Sequence, residues 1–177
     1  MAQCVMAARN IILDFARPSD AAALAVMSRD LIESGLGWSY RPDRFAQLIA
    51  NENVVALVAR AGDQAVGFAV MEFGDERGHL IVLAVLPRHQ RTGIARSMIE
   101  WLLESARTAG LTSMHVELRA DNVAAHGLYR SLGFAETLRV PGYYRGRETA
   151  IRMILMLRPG RLLPVPWSPP PARGDTH

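Results

Sequence analysis

The sequence predicts a mixed α/β fold: a sheet of about seven strands flanked by four helices. Apolar residues recur at helical spacing in four stretches, and runs of strand length fill most of the chain between them. Gly35, Gly110 and Gly133 stand where three of those helical patterns stop. Half of the residues are hydrophobic and 21% are charged, the balance of a chain that buries a core.

Taken in order, Ile11–Ala16 reads as the first strand. Ser19 is placed to cap a helix whose Leu24, Met27, Leu31 and Ile32 share one face. Leu36–Arg41 (LGWSYR) is a loop with two aromatics, and Pro42 starts a second helix through Ala50, with Phe45, Leu48 and Ile49 inward. Strands follow at Val54–Arg60 and Gln64–Phe73, then a polar turn Gly74–Gly78. Leu80–Leu86 is wholly apolar, which predicts a strand buried on both faces. Thr92–Ala109 is a helix with Ile94, Met98, Trp101, Leu102 and Ala106 inward. Ser113–Leu118 is a strand and Asn122–Leu132 a helix. Phe134–Val140 and Thr149–Leu157 complete the sheet, with PGYYRGRE as a loop between them. Residues 1–158 are expected to form one domain, and the Pro-rich stretch 159–177 an extended tail, since proline cannot serve a central strand.

Several function classes drop out on composition. No apolar run approaches the ~20 residues of a membrane helix, and MAQCVMAARN lacks the basic start of a signal peptide. Cys4 is the only cysteine, so neither a disulfide framework nor a thiolate metal site is expected. The histidines at 79, 89, 115 and 126 show no common metal spacing. All twenty basic residues are Arg, which excludes a lysine nucleophile or Schiff base. They are spread along the chain, against a nucleic-acid stripe, and Arg suits isolated anion contacts. A cytoplasmic protein with no membrane and no nucleic-acid partner fits; a homodimer stays open.

Two motifs carry chemistry. In "PRHQRTGIAR", Pro87 to Arg96, a polar turn joins an apolar strand to a helix. A helix N-terminus offers unpaired N–H groups and the positive dipole end, where phosphate binds. Gly93 and Ala95 let an anion approach the backbone, and Arg88, Arg91 and Arg96 add charge. The alternative is an ordinary strand–helix turn with small residues for packing. The lysine-bearing P-loop and the three-glycine dinucleotide pattern are both absent. The second stretch, "VELRADNVAAHGLYRSLGF" from Val116 to Phe134, places Glu117 on a strand and Asn122 at a helix start. Ala125 and Tyr129 stay near one helix face with Asn122.

In this order, Q-x-x-G-x-A ("QRTGIA") and then N-x-x-A-x-x-L-Y-x-x-x-G-F, the motifs resemble the GNAT superfamily of acetyl-CoA-dependent N-acetyltransferases. The match runs from about Val54 to Leu157. "ELRADN", "LY", "GF" and "GYYRGRETAIRM" resemble the ribosomal-protein-alanine N-acetyltransferases within it. The resemblance implies a central, mixed, mostly antiparallel sheet. It implies that Gln90, Arg91, Thr92, Gly93, Ile94 and Ala95 cradle the coenzyme A pyrophosphate. Leu83, Ala84 and Val85 would line the pantetheine arm, on a strand expected to bulge near Val85, and Asn122 would touch the cofactor. The Val85 N–H would polarise the thioester carbonyl.

Transfer of an acetyl group to an amine needs a base and an acid. The resemblance gives Glu117 the first role and Tyr129 the second, with Tyr143 and Tyr144 lining the acceptor site and no metal involved. Bland readings stand beside each: Glu117 as a solvated strand residue or as a partner of Arg119, Tyr129 as packing, Asn122 as a cap, Tyr143 and Tyr144 as loop packing. Trp38 and Tyr40 are weaker candidates for the same wall, and Trp101 is expected in the core. The expected activity is direct transfer in a ternary complex to a protein or peptide N-terminal α-amine. The rivals are a small-molecule amine acceptor and a non-catalytic acyl-CoA-binding module.

Overall fold

The computed structural model describes residues 4–6, 11–144, 146 and 148–158; of 4–6 and 144 it describes the backbone alone. The Pro-rich stretch 159–177 lies outside the described residues, as do the side chains of Cys4 and Tyr144. All seven expected strands are present, with a three-residue strand added at one edge. The strands are β1 (Cys4–Met6), β2 (Ile11–Phe15), β3 (Val54–Ala61), β4 (Gln64–Phe73), β5 (Arg77–Val85), β6 (Ser113–Arg119), β7 (Ala135–Tyr144) and β8 (Glu148–Met156). They stand in the order β1-β2-β3-β4-β5-β6-β8-β7. Every neighbouring pair is antiparallel except β5 and β6.

Four helices cover the two faces: α1 (Ala21–Leu31), α2 (Pro42–Ala50), α3 (Ile94–Thr108) and α4 (Val123–Ser131). Leu24 and Met27 of α1 and Phe45 and Leu48 of α2 pack with Val58, Phe68, Val70, Val82 and Ala84 on one face. Met98, Ile99, Leu102 and Ala106 of α3 pack with Leu57, Ala69, Met71, Leu80 and Met114 on the other, where Tyr129 and Phe134 join them. Phe45 is fully buried and meets Phe68 edge-on at 5.4 Å, a burial that stabilises by about 1.5–3 kcal/mol.

The centre of the sheet departs from the sequence reading in a way that makes the site. β5 and β6 pair only from Arg77↔Ser113 to Leu80↔Val116. On the other side of β5, Val70 faces Val82 but Met71 faces Leu80, so Ile81 is an extra residue. The bulge therefore sits at Ile81, not near Val85, where pairing with β4 is regular. A bulge bends its strand, and here pairing with β6 stops where the bend begins. Beyond it the two strands part. Ile81 and Leu83 are consequently only half-buried, where full burial was expected of both faces.

Other differences are local. PGYY is strand rather than loop, because β7 is an edge strand, where Pro141 forfeits no ladder bond and Gly142 takes φ 68° at a register shift. Trp101 is half-buried, edge-on to the exposed Phe15 at 5.5 Å, rather than enclosed in the core. Asp20, not Ser19, stands at the start of α1. Its carboxylate accepts from the Arg17 N–H and from Arg60 Nη2, both at 2.7 Å.

Burial opposes ionisation of Asp20, but the Arg60 bond and the Arg17 amide outweigh it and hold the carboxyl below its usual range. A carboxyl with a folded pKa below its unfolded one stabilises the fold above the unfolded value, near 4, and that contribution is lost as pH falls through the folded value. Asp20→Asn is expected to cost about 1–3 kcal/mol at pH 7. In urea melts, the gap from wild type should narrow steadily below about pH 4.

Candidate active site

The parting of β5 from β6 leaves backbone groups unpaired. Leu86 N–H donates to Val66 O at 2.8 Å. Strand alternation then turns the N–H groups of Leu83 and Val85 away from β4 and into the gap. The Val85 carbonyl is taken up by the Gln90 side chain, whose Nε2 donates to it at 2.9 Å. Gln90 thus ties the turn back to the strand end. Thr92 Oγ1 closes the turn by donating to His89 O at 2.6 Å.

The turn itself is preset. Arg91 has φ 61° and Gly93, the N-cap of α3, has φ 89°. Left-handed residues around such a turn point successive N–H groups into one concavity that suits an anion. Gly93 is exposed, Thr92 and Ala95 are half-buried, and Ile94 is buried at 2% and anchors the helix. Gly67 on β4 helps: a Cβ there would stand 3.2 Å from Ala84 O and 3.4 Å from Ile94 Cγ2. Of the three arginines expected here, Arg88 bonds Gln64 at 2.7 Å and Arg96 bonds Ser131 at 2.6 Å. Exposed Arg91 has no such partner among the described residues.

Across the gap, Asn122 caps α4, its Oδ1 accepting from Ala125 N–H at 3.0 Å. Tyr129, on α4, is 4% exposed and meets Phe134 at 5.4 Å. No hydrogen bond to its hydroxyl occurs among the described residues, and burial pushes the phenol above its usual value, so it stays protonated.

Glu117 lies on β6, on the α1–α2 face. Its partner is Arg152, directly opposite on β8, and not Arg119. Oε1 accepts from Arg152 Nε at 3.1 Å and from Arg152 Nη2; Oε2 accepts from the Tyr143 hydroxyl at 3.0 Å. Both partners of the ion pair are largely shielded, at 19% and 11% side-chain exposure. The structure thus brings Glu117 and Tyr143 together and leaves the Tyr144 side chain outside what it describes. Arg152 was missed in the sequence, though a lone Arg inside the apolar run TAIRMILM was a readable signal.

On the same face His79 and His115 stand opposite each other on β5 and β6. A cavity of about 500 Å³ beside them is lined by Asn53, Glu72, Asp75, Arg77 and His79. Trp38 and Tyr40 reach that face from the α1–α2 loop. Among the described residues, no group of three His, Cys, Asp or Glu is arranged to hold a metal.

A family model described as acetyltransferase (GNAT) family matches residues 25–134. The chain belongs to the GNAT family.

Two curated relatives are ribosomal protein bS18-alanine N-acetyltransferases. That of Salmonella typhimurium strain LT2 is 36% identical over 107 residues, covering 59% of this chain and 72% of the relative. That of Escherichia coli K12 is 38% identical over 91 residues, covering 50% and 62%, so the match spans less than two thirds of that relative's length. The crystal structure of the ribosomal-protein-S18-alanine N-acetyltransferase from Escherichia coli superposes with TM-score 0.74 at 28% identity, over 86% of this chain and 98% of that one. As a GNAT member the chain is an acetyl-CoA-dependent N-acetyltransferase. No helix among the described residues is long and apolar enough to cross a membrane.

The gap accords with acetyl-CoA as co-substrate. It offers free strand N–H groups for a thin amide-bearing arm, and a left-handed turn at a helix start for a pyrophosphate.

His115 supplies a test of this face. Desolvation first, then Arg77, His79 and Arg152, lower its pKa to about 4 against the pull of Glu117; its Nε2 lies 2.9 Å from Ser113 Oγ. An imidazole with a folded pKa below the unfolded ~6.5 costs stability as pH falls between the two, because only the unfolded chain takes the proton. Unfolding midpoints should drop from pH 6.5 toward 4, and His115→Gln should flatten that slope. An NMR titration placing His115 near 6.5 would contradict the assignment.

Proposed function

We propose that the chain acetylates a protein or peptide N-terminal α-amine by direct transfer in a ternary complex. The observation that carries this reading is the state of Glu117. Its carboxylate already accepts from Arg152 and Tyr143, so about one acceptor position is left for an amine proton, and a guanidinium stands beside it. Such a site serves poorly an amine that arrives as a cation. An α-amine, with pKa ~8, is far more often neutral at working pH than a lysine amine near 10.4. The curated relatives named for alanine N-acetylation support the same acceptor class.

In this reading acetyl-CoA supplies the acetyl group as a thioester. The turn Gln90–Ala95 holds the pyrophosphate, Leu83, Ala84 and Val85 line the arm, and Asn122 orients it from the start of α4. The Val85 N–H donates to the thioester carbonyl oxygen as charge builds there. The amine nitrogen forms the new C–N bond as the C–S bond breaks. Glu117 takes the amine proton, directly or through water, and Tyr129 gives its proton to the departing sulfur. Tyr143 forms one wall of the acceptor site and fixes the Glu117 carboxylate.

An acceptor screen tests the reading: peptides with free N-termini, the same peptides blocked, lysine side chains and small amines. Turnover confined to small amines would sink it. Tyr129→Phe should lower kcat by ~10²–10⁴-fold with unchanged acetyl-CoA affinity. Glu117→Gln should slow turnover strongly near neutrality and less toward pH 9, where an α-amine deprotonates unaided. A defect that stays flat to pH 9.5 would instead fit a lysine or polyamine.

A further inference from the structure

Arg119 is next but one to Glu117 on β6 and points to the same face. Its Nη2 donates to Ile32 O and to Ser34 O, each at 2.9 Å. Its Nε lies 3.3 Å from Glu148 Oε2. Three separate pieces of chain therefore meet at one guanidinium: the end of α1, the strand that carries Glu117, and the start of β8.

Each piece leads to a wall around Glu117. Ile32 is the C-cap of α1, and its carbonyl belongs to the helix end, where a cation is favoured. Next to it Glu33, only 5% exposed, holds the loop that follows. Its carboxylate accepts from Ser39 N–H at 2.8 Å and from Tyr40 N–H at 3.1 Å. That loop carries Trp38, whose indole N–H donates to Tyr40 O at 3.0 Å and whose ring has the guanidinium groups of Arg29 and Arg41 at 5.4 and 5.8 Å from its centroid. On the other side Glu148 pairs with Tyr144 across the β7–β8 hairpin that presents Tyr143. Glu148 Oε2 is shielded from solvent and makes no hydrogen bond among the described residues, where the ion contact to Arg119 compensates its burial.

We infer that Arg119 is a positioning residue for the acceptor: it fixes the distance between the Trp38–Tyr40 loop and the Tyr143 hairpin across Glu117. The inference rests on the reading of Glu117 and its walls as the acceptor site. Arginine is suited to this task because one planar fork serves two carbonyls and a carboxylate at once. A lysine has the charge but not the span.

The experiment uses the full chain with Arg119→Met, Arg119→Lys and Glu148→Gln. Each is measured for acceptor KM, kcat, acetyl-CoA affinity by calorimetry, and amide hydrogen exchange. Arg119→Met should raise acceptor KM on the order of 10- to 100-fold, the scale of a misplaced binding wall, with acetyl-CoA affinity held within about twofold. Exchange should quicken together at residues 36–40 and 141–144. Arg119→Lys should restore stability without restoring KM, and Glu148→Gln should loosen 141–144 alone. Unchanged exchange in both segments, or KM restored in full by lysine, would overturn the inference. The exchange arm needs no acceptor, so a chain that acetylates only small amines would refute the α-amine reading and leave this test intact.

Discussion

Two parallel strands that begin in register and then lose each other govern this molecule. β5 and β6 pair from Arg77 to Leu80 and no further, because Ile81 is one residue too many against β4. A continuous ladder would have consumed the backbone groups that the proposed mechanism draws on. The interruption is affordable because each side of the break is held by other means. β5 stays zipped to β4 as far as Val85, and β6 is paired along its length with β8. α3 packs beneath the junction, with Met98 and Leu102 fully buried.

The two halves of the site are built from different materials. On the proposed cofactor side the groups on offer are main-chain N–H donors, fixed by strand alternation, a helix start and one left-handed turn. Such donors need little reorganisation, which is what makes them effective against developing charge. On the proposed acceptor side the groups are side chains in a chain of contacts that runs Tyr143–Glu117–Arg152 and Arg119–Glu148. These are partly shielded ion pairs, and their geometry depends on three elements arriving together.

Sequence reading reached the elements and the motif side of the site more readily than the acceptor side. Leu24 and Met27, or Ile94, Met98 and Leu102, repeat at the helical period, and Gly110 and Gly133 do adopt the left-handed caps expected of them. The turn Gln90–Ala95 was legible because its chemistry is local: a glycine, a helix start and a strand end lie within a few residues. The Glu117–Arg152 pair was not, because it depends on β8 entering the sheet between β6 and β7, a long-range choice of neighbour. Glu33 was invisible for a different reason. A carboxylate near a loop reads as solvated, and only the fold reveals that the loop closes over it. The bulge at Ile81 hides inside an apolar run, where one residue more or less leaves no mark on composition.

A sheet that parts in its middle has an inner rim as well as two outer ones. Exposed strand rims invite other strands to add themselves, and proteins commonly guard them with charge, proline or irregularity. Here the outer rim at β7 carries Pro141 and a register shift. The inner rim is guarded by shape instead. Its two sides diverge from the ladder's end, whereas an added strand needs a rail held about 4.8 Å away along its length. The Gln90 amide also plugs the last carbonyl of β5. An invading polypeptide would thus find pairing partners for only a residue or two, so the notch can keep its backbone open to a slender guest without becoming a seed for aggregation.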